Sequence, residues 1–289
     1  MKFNFLISSI ILGIGFTASA GTSLMKDYKV LNLRYSLSSN ISSSANTPLE
    51  PENGQINCVD GAKRVTREEL EGMIANNEDV TGVCTSNITD MSALFFQNGS
   101  FNQDISMWDV SNVVRMDKMF TNATLFNQDI SRWDVSKVKT MENMFSFAKS
   151  FNQNINSWDV SNVESFTQMF HGTDSFNQPL DQWQLDNATS LAYMFAYAKA
   201  FNQDINNWQF PNVTSTHAMF QATLTFNQPL DKWDMSNVVG IGAMFQFSNA
   251  FDQDISNWQL DSVAPMSSTE KSNFASGSVL SPEHKPILP

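Results

Sequence analysis

Apolar residues in this chain recur in fixed columns rather than in blocks. The copy beginning at Phe101 reads F-N-Q-D-I-S-M-W-D-V-S-N-V-V-R-M-D-K-M-F-T-N-A-T-L, and the pattern returns every 25 residues. Within it Val113, Met116, Met119, Phe120 and Ala123 are spaced i, i+3, i+6, i+7 and i+10, an apolar stripe of helical period. Trp108 and Val110 flank Asp109, the alternation of a short strand. Ser111-Asn112 suits a turn and a helix cap, and Asn102-Gln103 suits the return turn. Each copy is therefore expected to be a short strand, a turn, a short helix and a turn.

The columns persist from copy to copy. Tryptophan stands at Trp108, Trp133, Trp158, Trp183, Trp208, Trp233 and Trp258, with no slip in the spacing. A methionine is followed each time by Phe120, Phe145, Phe170, Phe195, Phe220 and Phe245. Another phenylalanine, Phe101 in the first copy, opens each one. One copy alone is too small to bury such side chains, but stacked neighbours can. The period thus predicts a repeat stack of about seven to eight turns. A row of tryptophans could also face solvent and stack on sugar rings. Core is the stronger reading, because the Met and Phe columns need partners of large volume.

The flanks differ from the repeats. Lys2, the apolar run Phe5–Phe16 and Ala18-Ser19-Ala20 read as a signal peptide over residues 1–20, cleaved after Ala20. That run is shorter than the ~20 apolar residues of a membrane span. Residues 21–55, rich in Ser and Asn, read as a flexible linker. Residues 56–84 read as an N-terminal cap: Thr66-Arg67-Glu68-Glu69 has the capping-box form, and Leu70, Met73 and Ile74 share one helix face. Cys58 and Cys84 are the two cysteines of the chain. In an exported protein such a pair reads as a disulfide, whereas close spacing and nearby histidines, which a metal or redox pair would call for, are lacking. Repeats fill residues 85–270, and residues 271–289, with three prolines, read as a loose C-terminal tail.

A net charge of −12 and a pI near 4.5 disfavour binding to nucleic-acid backbones. The asparagine columns, Asn102 to Asn227 and Asn112 to Asn237, suit amide ladders that satisfy backbone groups. Aspartates before and after Trp could stack as calcium ligands, yet Gln, Asn and Pro interrupt both columns. His171, His217 and His284 occupy unrelated positions, so no triad is suggested. No catalytic, cofactor or metal residue is therefore assigned. Departures such as His171, His217, Tyr193 and Tyr197 are candidates for a local site.

The run F-N-Q-D-I-S-x-W-D-V-S-N-V followed by M-x-x-M-F resembles the repeat of BspA-type leucine-rich-repeat surface proteins, and a similar unit occurs in mycoplasma surface lipoproteins. The resemblance spans about residues 85–265. It implies an α/β, leucine-rich-repeat-like solenoid with an N-terminal helical cap, exported to the cell surface or beyond. The implied role is adhesion, the binding of a protein or glycan ligand, without catalysis. A carbohydrate-active enzyme on the same scaffold, or a purely structural spacer, is the alternative. No cysteine follows the signal, so the lipid anchor of the lipoprotein members is not expected.

Overall fold

The computed structural model describes Cys58 and residues 61–289. The expected signal peptide and linker lie outside the described residues. Two α-helices are present among them, α1 (Arg67–Ala75) and α2 (Ser268–Asn273), with a 3-10 helix at Pro282–His284. α2 begins in the last three residues of the expected repeat region, and no α-helix falls in the units before it.

What the units contain instead is a chain of overlapping turns. In the unit of Arg115, the amides of Met119, Thr121 and Ala123 close local turns onto the carbonyls of Met116, Lys118 and Phe120. The alternate amides, those of Met116, Lys118, Phe120 and Asn122, donate to Thr140, Glu142, Met144 and Ser146 of the following unit at 2.8–3.1 Å. Lys118 and Asn122 take φ of 59° and 58°, as the third residue of a type II turn requires. The same two positions carry positive φ in unit after unit, from Ala93 and Gln97 to Ala243 and Phe247.

This explains why a helix was expected where none forms. Turns closed every three residues bring Val113, Met116, Met119, Phe120 and Ala123 to one side, all fully buried, with a period close to helical. A helix, however, would spend every amide internally. Here half of them serve the neighbour. The expected strand is also displaced. Trp108 to Val110 forms no β-bridge, and the parallel bridge of each unit falls further on, running Asp90, Arg115, Thr140, Ser165, Ser190, Ser215 and Gly240.

The tryptophan rings lie in the core at 0–4% exposure. Each indole N–H donates to a backbone carbonyl of the preceding unit, from Trp108 to Val80 at 2.9 Å through Trp258 to Leu230 at 2.9 Å. Beside them Phe120 stacks on Phe126 at 4.0 Å and on Phe145 of the next unit at 5.5 Å. This pairing repeats down to Phe245 and Phe251.

Asparagine provides a second ladder on the polar side. The side-chain oxygen of Asn102 accepts the backbone N–H of Asn127, and the relation passes through Asn152, Asn177, Asn202 and Asn227 to Asp252. The other column works in reverse: Asn112, Asn162, Asn187, Asn212 and Asn237 donate to carbonyls of the preceding unit.

Both ends of the repeats are covered. Thr66 caps α1 through the reciprocal box with Glu69, and Leu70 is buried beneath the helix. Arg67 then reaches the first unit, donating to the carbonyls of Asp90 and Ser92, each at 2.6 Å. Those two carbonyls lack a preceding unit, so the guanidinium stands in for its amides. A disulfide joins Cys58 to Cys84, whose backbone pairs with Arg64 in a parallel bridge. At the far end the segment expected to be a loose tail is instead a lid. Phe274 and Ser276 accept from Phe245 and Phe247, Ile255 donates to His284, and Met266 donates to Pro289. Phe274, Ala275 and Leu280 are buried there. Its prolines signalled the end of the repeat, not the loss of packing.

No helix of the described residues is long and apolar enough to cross a membrane.

Candidate functional site

Most recurring side chains are already committed. Asp104, Asp129, Asp204 and Asp254 each accept the amide two residues on, and Asp109, Asp159 and Asp234 do the same at the next turn. They hold turns, as short acidic side chains do. Among the described residues no group of three His, Cys, Asp or Glu side chains is placed to hold a metal ion. On this polar side lies an open cleft of about 310 Å³ lined by Asp129, Gln153, Asn154 and Asn156. Its amides and carboxylates are largely engaged in the same turns and ladders. The regular side therefore builds the molecule and leaves little chemistry free.

The bridge-bearing side is different. Its sequence changes from unit to unit: R-M-D-K-M-F-T-N at 115–122, then S-F-T-Q-M-F-H-G at 165–172 and S-L-A-Y-M-F-A-Y at 190–197. The inward Met-Phe pair is kept while the outward positions vary. One outward column opens with Gln97 and Asn122 and then reads Phe147, Gly172, Tyr197, Ala222 and Phe247, so from Phe147 on a ring on one unit alternates with a small residue on the next. The three rings are exposed by 38%, 47% and 52%. Two units separate successive rings, roughly 10 Å at the spacing of parallel strands.

Each large side chain leans toward the following unit. A Cβ on Gly172 would sit 2.6 Å from the Phe147 ring, and one on Gly242 would sit 3.0 Å from the His217 ring. The Phe247 ring covers Gly277 in the same way. Replacing Gly172 by Ala should accordingly destabilise by about 1–3 kcal/mol, from the positive φ of 68° and from displacing the ring. Ala222→Gly, in the same column at φ 55°, should be neutral or stabilising. Thermal unfolding of both variants checks the contrast, and equal melting temperatures would refute it.

Of the residues singled out in the sequence, His171 meets Tyr197 edge-on at 5.5 Å and Phe147 at 4.8 Å, and Tyr193 meets His217 at 5.1 Å. They form two neighbouring pairs on this face. His284 is not among them and belongs to the C-terminal lid, where it meets Asp252 at 3.0 Å. Phe147 and Phe247 were missed. The signal for them was the alternation of large and small residues down one column.

Burial lowers the pKa values of His171 and His217, and the Nδ1 of His171 is buried without a partner. The hydrogen bond to Asp252 raises that of His284. The signs are opposite. For His171 and His217 the stabilising contribution is complete above their unfolded pKa near 6.5 and is lost as pH falls from there through the folded values. For His284 it is complete below the unfolded pKa and is lost as pH rises through the folded value. Acid should therefore loosen the aromatic face while tightening the lid. Hydrogen exchange between pH 7.5 and 5 (about the range over which histidine titrates) reads this. Uniform loosening of both regions would contradict it.

The family model described as Mycoplasma protein of unknown function, DUF285, matches residues 67–183 and again residues 165–278. No curated protein and no solved structure matches the chain.

Proposed function

Given that the chain belongs to this Mycoplasma family of repeat proteins, we propose that it is a secreted or cell-surface binding module without catalytic activity. Its units would coil as a leucine-rich-repeat-like solenoid of the BspA type, and its ligand would be a protein or glycan. The observation that carries this reading is the division of labour between the two sides. Repeated residues are consumed by packing and ladders, while unit-to-unit variation and exposed rings gather on the bridge-bearing side. A scaffold held constant beneath a varied surface suits recognition, as in other repeat proteins. The Cys58–Cys84 disulfide supports an oxidising location.

The test is a screen of the full chain against extracellular-matrix proteins and glycans, run beside assays for sugar release. Binding that is lost when Tyr197 is replaced by Ala supports the module. Hydrolysis with no binding would favour an enzyme on this scaffold, and silence in both assays a spacer.

A further inference from the structure

The ring-bearing side is not uniform in charge. Its first three stretches, residues 90–97, 115–122 and 140–147, carry Asp90, Arg115, Asp117, Lys118 and Glu142. The next four, residues 165–172, 190–197, 215–222 and 240–247, contain no Asp, Glu, Lys or Arg. Charged residues flank these stretches, Glu164 ahead of Ser165 and the Lys199–Asp174 pair at 2.8 Å just beyond Tyr197 and Gly172, but none stands within them. What the stretches offer is rings, hydroxyls and amides. Gln221 donates to Gln246 at 2.6 Å, and Gln246 donates to Ser276 at 3.0 Å, an amide row close to Phe247 in sequence. Thr167 and Ser190 share a hydrogen bond of 2.8 Å.

We propose that the comb of Phe147, Tyr197 and Phe247, whose last two rings stand in the charge-free stretches, binds a neutral glycan chain. This rests on the binding-module reading and specifies its ligand. Sugar rings present C–H faces that stack on aromatic side chains, and their hydroxyls pair with amides and hydroxyls. A protein partner is less suited to this face. Protein interfaces are enriched in Arg, Met and clustered aromatics and depleted in Ser and Ala. Here Arg is absent from the four stretches, the methionines are buried, and Ser, Ala and Gly are common beside the rings, with His171 between Phe147 and Tyr197.

The experiment is binding of the full chain to an array of neutral hexose and N-acetylhexosamine oligosaccharides, with sialylated and sulfated oligosaccharides as the acidic arm. Hits are titrated by calorimetry at low and high salt. Neutral glycans should bind, with affinity insensitive to salt. Tyr197→Ala and Phe247→Ala should each weaken it by about tenfold, corresponding to about 1.4 kcal/mol. Tyr197 is 47% exposed, so the melting temperature of Tyr197→Ala should hold, while Phe247→Ala also uncovers Gly277 and its binding is read well below its own melting temperature. Preference for the acidic arm, or neutral binding unaffected by both substitutions, overturns the assignment. Binding of a protein but no glycan, lost with Tyr197→Ala, overturns the glycan while leaving the module intact. No ligand of any kind overturns both.

Discussion

Replacing Trp183 by Ala should cost about 3–5 kcal/mol of stability, the range for deleting a buried large aromatic side chain. The ring is 2% exposed, and its N–H donates to the Ile155 carbonyl at 3.1 Å. Removing it opens a cavity between units and takes one of two donors from the Ile155 carbonyl, which keeps the Trp158 amide at 3.1 Å. Trp183→Phe separates the two contributions, because it keeps most of the volume and loses only the donor. Urea unfolding followed by circular dichroism reads both variants. A loss below about 1 kcal/mol for the Ala variant would place the ring at the periphery of the stability, not at its centre. Trp183 has a neighbouring unit on either side, so its loss should be felt along the stack, whereas Trp258 lies in the last repeat beside the lid.

The second large effect concerns the disulfide. Reduction, or Cys84→Ser, should destabilise by about 2–4 kcal/mol through the freed loop. The sequence separation of the pair is 26. The loss should be local. Cys84 pairs with Lys63 and Val65 through its backbone, and Arg67 nearby covers the first unit. Hydrogen exchange should therefore rise around α1 and residues 90–97 and stay unchanged near Trp183. Faster exchange throughout the repeats would mean that the N-terminal cap controls the whole stack.

How much of this was legible beforehand depends on what kind of signal each part leaves. The capping box at Thr66 and Glu69 was legible because its two hydrogen bonds depend on a spacing within one turn. The buried Trp and Phe columns were legible because burial selects residue type at each position. The secondary structure of a unit was not. A turn series and a helix both place apolar residues three and four apart, and only the destination of the alternate amides distinguishes them. That destination lies on another unit, so no local pattern records it. The positive φ at Lys118, Ala218 and Phe247 was hidden for the same reason, since glycine or asparagine is the usual marker. The neighbours' hydrogen bonds hold those residues there. In the candidate site, His171, Tyr193, Tyr197 and His217 were visible as departures from the repeat. Which of them touch was not, because that depends on the direction in which side chains lean between units. The C-terminal lid was missed because its contacts, such as Ser281 donating to Asp252 at 2.7 Å, are single and do not recur.

The guanidinium of Arg67 and the turn segment of Phe274 and Ser276 have a joint consequence. In the bridge-bearing stretch the alternate amides of each unit donate to the following unit, so that row has a polarity, like plugs and sockets, while the indole and asparagine donors run the other way. Arg67 fills the sockets at one end, and the lid accepts the plugs at the other. Without these fittings the two ends of separate molecules would match each other in register and in sign. A heterologous contact of that kind does not close, and it generates a filament. The two fittings thus occupy the edges through which such a contact would form.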